Sequence, residues 1–573
     1  MIKAENLSYG FPAKELYNKI SFEIEEGDHA VLVGANGCGK SSLLDIIMQP
    51  KEYLYDGKLE VDENCRIGYA SQLATEEKDS DKTVFQFLSQ RFTDVEKAIE
   101  EVCQEMSQAG QAGQEGQDGQ MNPDDMEKAM AKYQELMDLK DSMDGDNYES
   151  NILKSLHSAG LEELKDYKVS DISGGEFKVL QIMGEMLLKP NVLLLDEPDA
   201  FLDFENIDSL CRLLNNYEGT LLVVTHSRYL LNHCFNRILH LEGGQLQDFS
   251  GNYSEYRCWI LREKLRLKLE SQDQEEEIKR TQEMVEILRD RATDMVNPVI
   301  GKAVHAKQSQ LDRLKARAIK EPFIEIREPQ ITLPEVEPKE QVVLEAKDFK
   351  LMAGEKVAMV GANGAGKTTI IRDVLKEDHP DIKIGEGVTY RCMSQLQGEA
   401  MDLHKTVYEL LEDEGFVNEK SAKEYLAKFC LDDIDIYQRA GALSGGEQNL
   451  LQVALIARSG ADLLILDEPT SHLDVYAQAA LEKAIREYRG TVLMVSHDFY
   501  LITGAADYVL MAEDGQLRQM RSRKFRKMVY DKYFSPEYFE EDRKKQEIEM
   551  NIIQAYKKGD LAKVEKLLQK CKI

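Results

Sequence analysis

The chain carries one ordered set of short motifs twice, and this confines it to an architecture of two similar halves. Gly34-Ala35-Asn36-Gly37-Cys38-Gly39-Lys40-Ser41 recurs as Gly361-Ala362-Asn363-Gly364-Ala365-Gly366-Lys367-Thr368. The box Ser173–Glu176 recurs at Ser444–Glu447. Asp196-Glu197, after the apolar run Val192–Leu195, recurs as Asp467-Glu468 after Leu463–Leu466. Thr225-His226 recurs as Ser496-His497. Any one of these is a modest signal; four in the same order, twice, leave little room for chance. Ala30–Val33 and Val357–Val360 read as buried strands feeding straight into glycine loops. Strand–loop–helix units of this kind predict an α/β layer architecture, with two phosphate-loop domains in tandem.

The residue types indicate the chemistry. Gly34, Asn36, Gly37 and Gly39, with Gly361, Asn363, Gly364 and Gly366, belong to loops whose backbone N–H groups turn in around phosphates, ahead of the positive end of a helix. Lys40 and Lys367 are placed to neutralise phosphate oxygens. Ser41 and Thr368 are placed to ligate Mg²⁺, with Ser42 and Thr369 beside them on the nucleotide. Asp196 and Asp467 end apolar strands, where a carboxylate can hold the metal's shell. Glu197 and Glu468 follow, positioned to orient or deprotonate an attacking water. Gln72 and Gln395 come after the strand segments Ile67–Ala70 and Val388–Arg391 and are candidates to sense metal and water. His226 and His497 are candidates to hydrogen-bond the γ-phosphate. Each serine box opens a predicted helix, so Ser173, Gly174 and Gly175, like Ser444, Gly445 and Gly446, can bind an anion. Tyr9 (or Phe11) offers a ring for adenine before the first loop; the second loop has no clear equivalent.

The halves span Met1 to about Tyr256 and about Pro322 to Tyr530. The first holds an insert, about 95–147, that reads as a helical hairpin or arm, with the Gln/Gly run Gln108–Gln120 as its tip. Between the halves, 257–321 reads as a helical hairpin linker. Its narrow apolar seam (Ile260, Leu267, Ile278, Val285, Leu288) is suited to one partner helix, Asn297-Pro298 breaks it, and Leu311 and Leu314 lie on the return. The return carries Lys302, Lys307, Arg313, Lys315, Arg317 and Lys320, a local positive surface on a chain of net charge −32, which points to RNA phosphate. A helical extension, 531–573, closes the chain. No stretch approaches the roughly 18 apolar residues of a membrane span, and no signal peptide is visible at Met1–Asn6. Nine cysteines without a CxxC pair fit reduced thiols in a cytoplasmic protein.

Taken together, the phosphate loops, serine boxes, acidic pairs and histidines resemble the ATP-binding cassette family through nearly the whole chain. More closely, they resemble its ABC-F branch of soluble twin cassettes acting on ribosomes. Pro469-Thr470-Ser471-His472-Leu473-Asp474 is close to that branch's Pro-Thr-Asn-His-Leu-Asp, and Gly251–Tyr256 resembles the box where its linker begins. The resemblance implies two ATP, with Mg²⁺, sandwiched head to tail within a monomer. One site would pair Lys40, Ser41, Gln72, Asp196, Glu197 and His226 with Ser444; the other would pair Lys367, Thr368, Gln395, Asp467, Glu468 and His497 with Ser173. It also implies that linker and arm meet rRNA and tRNA near the exit and peptidyl sites, in a translation factor or an antibiotic-resistance factor. The first cassette departs from the pattern at Pro198-Asp199-Ala200-Phe201-Leu202-Asp203, and the expectation is two unequal sites, with adenine held less firmly in the second. The energising subunit of a membrane transporter is the alternative, but it gives no reason for the linker. A DNA-repair ATPase would carry zinc modules or far longer coiled coils.

Overall fold

A computed structural model describes residues 1–11, 14–62, 65–70, 81–115, 123–200, 202–294, 298–317, 329–336, 341–346, 349–362, 365–375, 381–394, 401–431, 434–513, 516–533 and 560–568, with a few positions between 544 and 555. The chain forms two compact units, Met1–Ser250 with Arg327–Ser535, and Gly251–Ile326 with Pro536–Ile573.

The first unit contains both cassettes. Each is built on a six-stranded sheet. In the first cassette the order is Ile67–Ala70, Val192–Asp196, Thr220–Val224, His29–Gly34, Arg237–Glu242 and Gln245–Ser250. All neighbours are parallel except the last pair. The second cassette repeats the order with Tyr390–Met393, Leu463–Asp467, Thr491–Val495, Lys356–Gly361, Tyr508–Glu513 and Gln516–Arg521. The central strands are apolar on both faces because helices cover both. Val192–Leu195 and Leu221–Val224 are fully buried. Register brings Asp196 level with Val224 and Asp467 level with Val495, so both acidic pairs emerge at the carboxyl edge of the sheet beside the phosphate loops.

A three-stranded antiparallel sheet completes each cassette, and here the halves differ. In the first, strands Ile2–Phe11 and Lys14–Ile24 have 10 and 11 residues. Their counterparts Val342–Ala346 and Lys350–Met352 have five and three. The long hairpin is what carries Tyr9, whose ring lies 5.7 Å from that of Phe11 and 5.9 Å from those of Tyr17 and Tyr53. The short hairpin has no length for such a cluster.

In the first cassette the insert is two helices, Val84–Glu115 and Pro123–Ser142. The first continues through Gln108–Glu115, which the Gln/Gly composition had suggested as part of a loop; 116–122 lie outside the described residues.

The second unit contains helices Tyr253–Asp294 and Pro298–Arg317. Asn252 starts the first through a reciprocal cap: its Oδ1 accepts from Glu255 N at 2.9 Å, and Glu255 Oε2 accepts from Asn252 N at 3.1 Å. Val285 and Leu311 are buried, and Arg289 donates to Gln308 Oε1 at 3.0 Å. Near the base of the long helix, Cys258 and Leu261 pack with Ile552, Ala555 and Val564 of the C-terminal extension.

Candidate ATP sites

Each phosphate loop joins a buried strand to a helix, Lys40–Met48 or Lys367–Val374. Gly34 and Gly361 sit level with Leu241 and Ala512 on the adjacent strand. A Cβ at Gly361 would lie 2.6 Å from Ala512 O, and one at Gly34 would overlap Leu241 O, so any side chain would force the loop off the sheet. Gly39 and Gly366 begin their helices at φ +101° and +83°. Lys40 is buried and donates to the carbonyls of Gly34 at 3.0 Å and Ala35 at 3.1 Å. Lys367 does the same with Gly361 and Ala362 at 2.6 and 2.8 Å. Both lysines thus fold back over their loops, spanning the space that phosphates would occupy.

Ser41 and Ser42, like Thr368 and Thr369, lie in the first turns of these helices. Burial pushes the Asp196 carboxyl up from its ordinary value, opposed by a hydrogen bond from Ser41. Asp196 Oδ1 is buried with no protein hydrogen-bond partner. A hydroxyl and a carboxylate oxygen held together in this way suit a hard, oxygen-seeking cation such as Mg²⁺. His226 Nε2 is likewise buried without a partner, among the charges of Lys40 and Glu197. Burial brings His226 and His497 down to about 3, so both rings are neutral at physiological pH and can present an N–H to a phosphate oxygen.

Glu197 and Glu468 adopt left-handed backbone conformations, φ +45° and +47°, rare for a residue with a side chain. Glu197 N donates to Val224 O, and Glu468 N to Val495 O, both at 2.9 Å. Their carboxylates meet different neighbours. His472 of the second cassette places Nδ1 3.3 Å from Glu197 Oε2. Burial would push Glu197 up, but the hydrogen bond to His472, with His226 and the Lys40 ammonium nearby, outweighs it and holds the carboxyl below its ordinary value. Glu468 instead meets its own cassette's His497, with Nε2 at 3.5 Å from Oε1, and burial pushes it up to about 8.

Ser173 and Ser444 cap helices Gly174–Leu187 and Gly445–Ser459. Each closes a capping box with the glutamate of its own motif; Ser173 N donates to Glu176 Oε2 at 2.8 Å and Ser444 N to Glu447 Oε2 at 2.9 Å. This gives the box glutamates a structural reason, while Gly174, Gly175, Gly445 and Gly446 supply the free N–H groups of the first turn.

The two cassettes meet head to tail at the first site. Asn36 Nδ2 donates to His472 O at 2.6 Å. It lies so close to Gly446 that a Cβ there would overlap the amide, which brings the first phosphate loop onto the second serine box. Asp474 is buried within reach of the Lys40 charge. At the second site, Asp203 of the first cassette acts on Lys367, whose pKa burial lowers and the charges of Glu468, Asp203 and Asp467 raise in opposition. Between the sites the pairing is lopsided. Arg228 of the first cassette is buried against the second, 3.4 Å from Glu482, 3.6 Å from Asp498, and 4.7 Å above the Tyr500 ring. Phe499, its counterpart by position, has its ring 5.8 Å from that of Phe204, tilted against it by 58°. A cavity of about 120 Å³ lies here, lined by Glu197, Glu468 and Arg228.

Gln72, Gln395, Asn363 and Gly364 lie outside the described residues. Motif spacing gave no warning of Arg228, nor of Lys178, which donates to the Glu197 carbonyl. The only hint in the sequence was the altered segment after Glu197.

Comparison with known proteins accords with this geometry. The family model described as ABC transporter matches residues 17–200 and 344–471, and a second with the same description matches 239–333. The putative ATP-binding protein YdiF of Bacillus subtilis is 30% identical over 543 residues, 91% of this chain and 81% of that protein. The energy-dependent translational throttle protein EttA of Haemophilus influenzae is 29% identical over 521 residues, 87% of this chain and 89% of that one. The archaeal ribosome recycling factor aABCE1, solved with the ribosomal stalk protein aP1, shares the fold: TM-score 0.53 at 18% identity, over 92% of each chain. Among the described residues no helix is long and apolar enough to cross a membrane. The chain belongs to the ABC transporter family and is an ATPase with tandem cassettes of the ABC-F type.

Proposed function

We propose that this ATPase binds two ATP, each with Mg²⁺, between its cassettes and uses their hydrolysis to control its hold on the ribosome in the cytoplasm. The observation that carries the ribosome assignment is the similarity to the translational throttle protein, which extends over 87% of the chain. Lys40 and Lys367 exchange their loop carbonyls for phosphate oxygens. Ser41 with Asp196, and Thr368 with Asp467, would hold the Mg²⁺, which when bound would supply neutralisation of the charge developing on the phosphates. Glu197 and Glu468 take the proton of the attacking water, and His226 and His497 hold the γ-phosphate. Because Asn36 of one cassette rests on Gly446 of the other, nucleotide at the first site bears on both halves at once, and its hydrolysis loosens the pair. The two helices of the second unit, with Lys302, Lys307, Arg313, Lys315 and Arg317 on the return, are the elements we assign to tRNA and rRNA near the exit and peptidyl sites, together with the arm. The protein acts as a monomer, as a translation factor or in ribosome protection against an antibiotic.

The test is the double variant Glu197→Gln/Glu468→Gln, which keeps ATP binding and loses the base at both sites. Co-sedimentation with ribosomes of the source cell in ATP but not in ADP is expected. Equal recovery in ATP, ADP and no nucleotide, with ATP binding verified, refutes the assignment.

A further inference from the structure

The loop carrying Glu197 is held differently from its counterpart in the second cassette. Lys178 lies one turn into the helix capped by Ser173, and its Nζ donates to the carbonyl of Glu197 at 2.9 Å and to that of Ala200 at 3.3 Å. Lys178 is largely buried, and burial lowers its pKa. Among the neighbouring charges that oppose this, Asp199 comes first, then Glu197 and Asp196. Asp199 is itself buried, which raises its pKa, and it accepts a hydrogen bond from the hydroxyl of Thr225, the residue before His226. Thr225 Oγ1 in turn accepts from Ser227 N at 3.0 Å, bracketing the histidine.

The same positions of the second cassette are neutral throughout. Asn449 stands for Lys178, Thr470 for Asp199 and Ser496 for Thr225. Asn449 Nδ2 donates to Ser471 O, the counterpart of the Ala200 carbonyl that Lys178 reaches along with that of Glu197. Changing only one member of this set would leave a buried charge without its opposite, a costly state. The two cassettes therefore differ by a matched exchange of two residues 21 positions apart.

We propose that Lys178 and Asp199 form a charged positioning couple for ATP hydrolysis at the first site. Lys178 pins the left-handed turn at Glu197 from the backbone side, while the carboxylate meets His472. Asp199 balances the lysine and, through Thr225, fixes the backbone on which His226 presents its Nε2. Base and phosphate sensor of one site are thereby set by a single couple, and its lysine belongs to the helix whose first turn is Ser173–Gly175.

The experiment uses the full chain with Glu468→Gln to silence the second site. Lys178→Asn, Asp199→Thr and the double exchange, which installs the second cassette's pair, are compared by steady-state ATP hydrolysis. Each single variant is expected to lower kcat about tenfold or more while KM for ATP stays within about threefold, since the couple touches the base and not the nucleotide. The double exchange is expected to recover kcat to within about threefold of the parent, because the neutral pair is self-consistent. In the reciprocal background, Glu197→Gln, the same exchanges are expected to leave the kcat of the second site unchanged. No loss in the single variants, a loss that the double exchange does not recover, or an equal loss at both sites overturns the proposal. If a single variant does not fold, the double exchange and Lys178→Arg still decide: a folded double exchange at a tenth of parental kcat or below overturns it, as does a folded Lys178→Arg that falls as far as Lys178→Asn.

Discussion

Replacing Arg228 with leucine tests how the cassettes are held together. The guanidinium is buried, 3.4 Å from Glu482 and 3.6 Å from Asp498, with Gln478 Oε1 3.4 Å from its Nε and the Tyr500 ring 4.7 Å away. All four partners come from the second cassette. Leucine fills much of the volume but removes the cation that two mostly buried carboxylates share. Removing one member of a buried pair costs about 3–5 kcal/mol, and the residual exposure of Glu482 and Asp498, with Arg486 3.7 Å from Glu482, brings this to about 3 kcal/mol. That corresponds to about a hundredfold in the equilibrium between paired and separated cassettes. Fluorescence transfer between dyes placed one on each cassette, titrated with ATP in the Glu197→Gln/Glu468→Gln background, reads that equilibrium. Because two ATP bind in the paired state, Arg228→Leu is expected to need about tenfold more ATP for half-maximal pairing, and Arg228→Leu/Glu482→Leu to recover at least about threefold of it, because one stranded carboxylate is gone. A single variant that pairs at the parental ATP concentration would show that Arg228 is a bystander and that the phosphate loop contacts carry the pairing.

Three further outcomes follow from the geometry. Gly446→Ala drives a Cβ into Asn36 and to 2.7 Å from His472 O, so ATPase activity should fall sharply with the fold intact; Gly184→Ala, whose Cβ would meet nothing nearer than 3.8 Å, should leave activity alone and raise stability by about 0.5–1 kcal/mol, and equal behaviour of the two in ATPase and melting assays would refute the contact. In the metal- and nucleotide-free protein, Glu468 with its pKa raised from 4.5 to about 8 costs stability as pH climbs from 4.5, fully above 8, by at most about 5 kcal/mol. Glu468→Gln should therefore melt a few degrees higher than the parent at pH 9 and equal it near pH 4.5, and a pH-independent difference would contradict the burial. Ile552→Ala, at a fully buried position, should cost about 2–4 kcal/mol locally, read as faster hydrogen exchange at Cys258–Leu261; unchanged exchange would mean that the extension does not brace the helix.

Much of this was legible in the sequence because phosphate binding is local. A glycine loop, the lysine after it and the strand before it lie within about a dozen residues, and their order alone implies the fold. The acidic pairs were equally legible, since a run such as Leu463–Leu466 can only be a buried strand that releases Asp467 at its edge. What stayed hidden depends on distance along the chain. Lys178 and Asp199 are individually unremarkable, and only the geometry shows that the altered segment after Glu197 is matched from the serine-box helix. Arg228 and Glu482 are 254 positions apart and share no motif. The expectation of two unequal sites rested on the changed first-cassette segment and on the missing ring for adenine, and neither pointed to the glutamates or to a histidine that reaches Glu197 from the other cassette.

The packing of the C-terminal extension on Cys258 and Leu261 also orders events in time. About 300 residues separate Leu261 from Val564, and at roughly 5–20 residues per second a translating ribosome needs about 15–60 s to make them. Throughout that interval the base of the long helix exists without its cover, so its apolar face is completed only once Val564 has been made. A nascent chain that stops early retains its first phosphate loop, yet leaves Cys258 and Leu261 exposed to whatever quality-control machinery binds bare apolar surface.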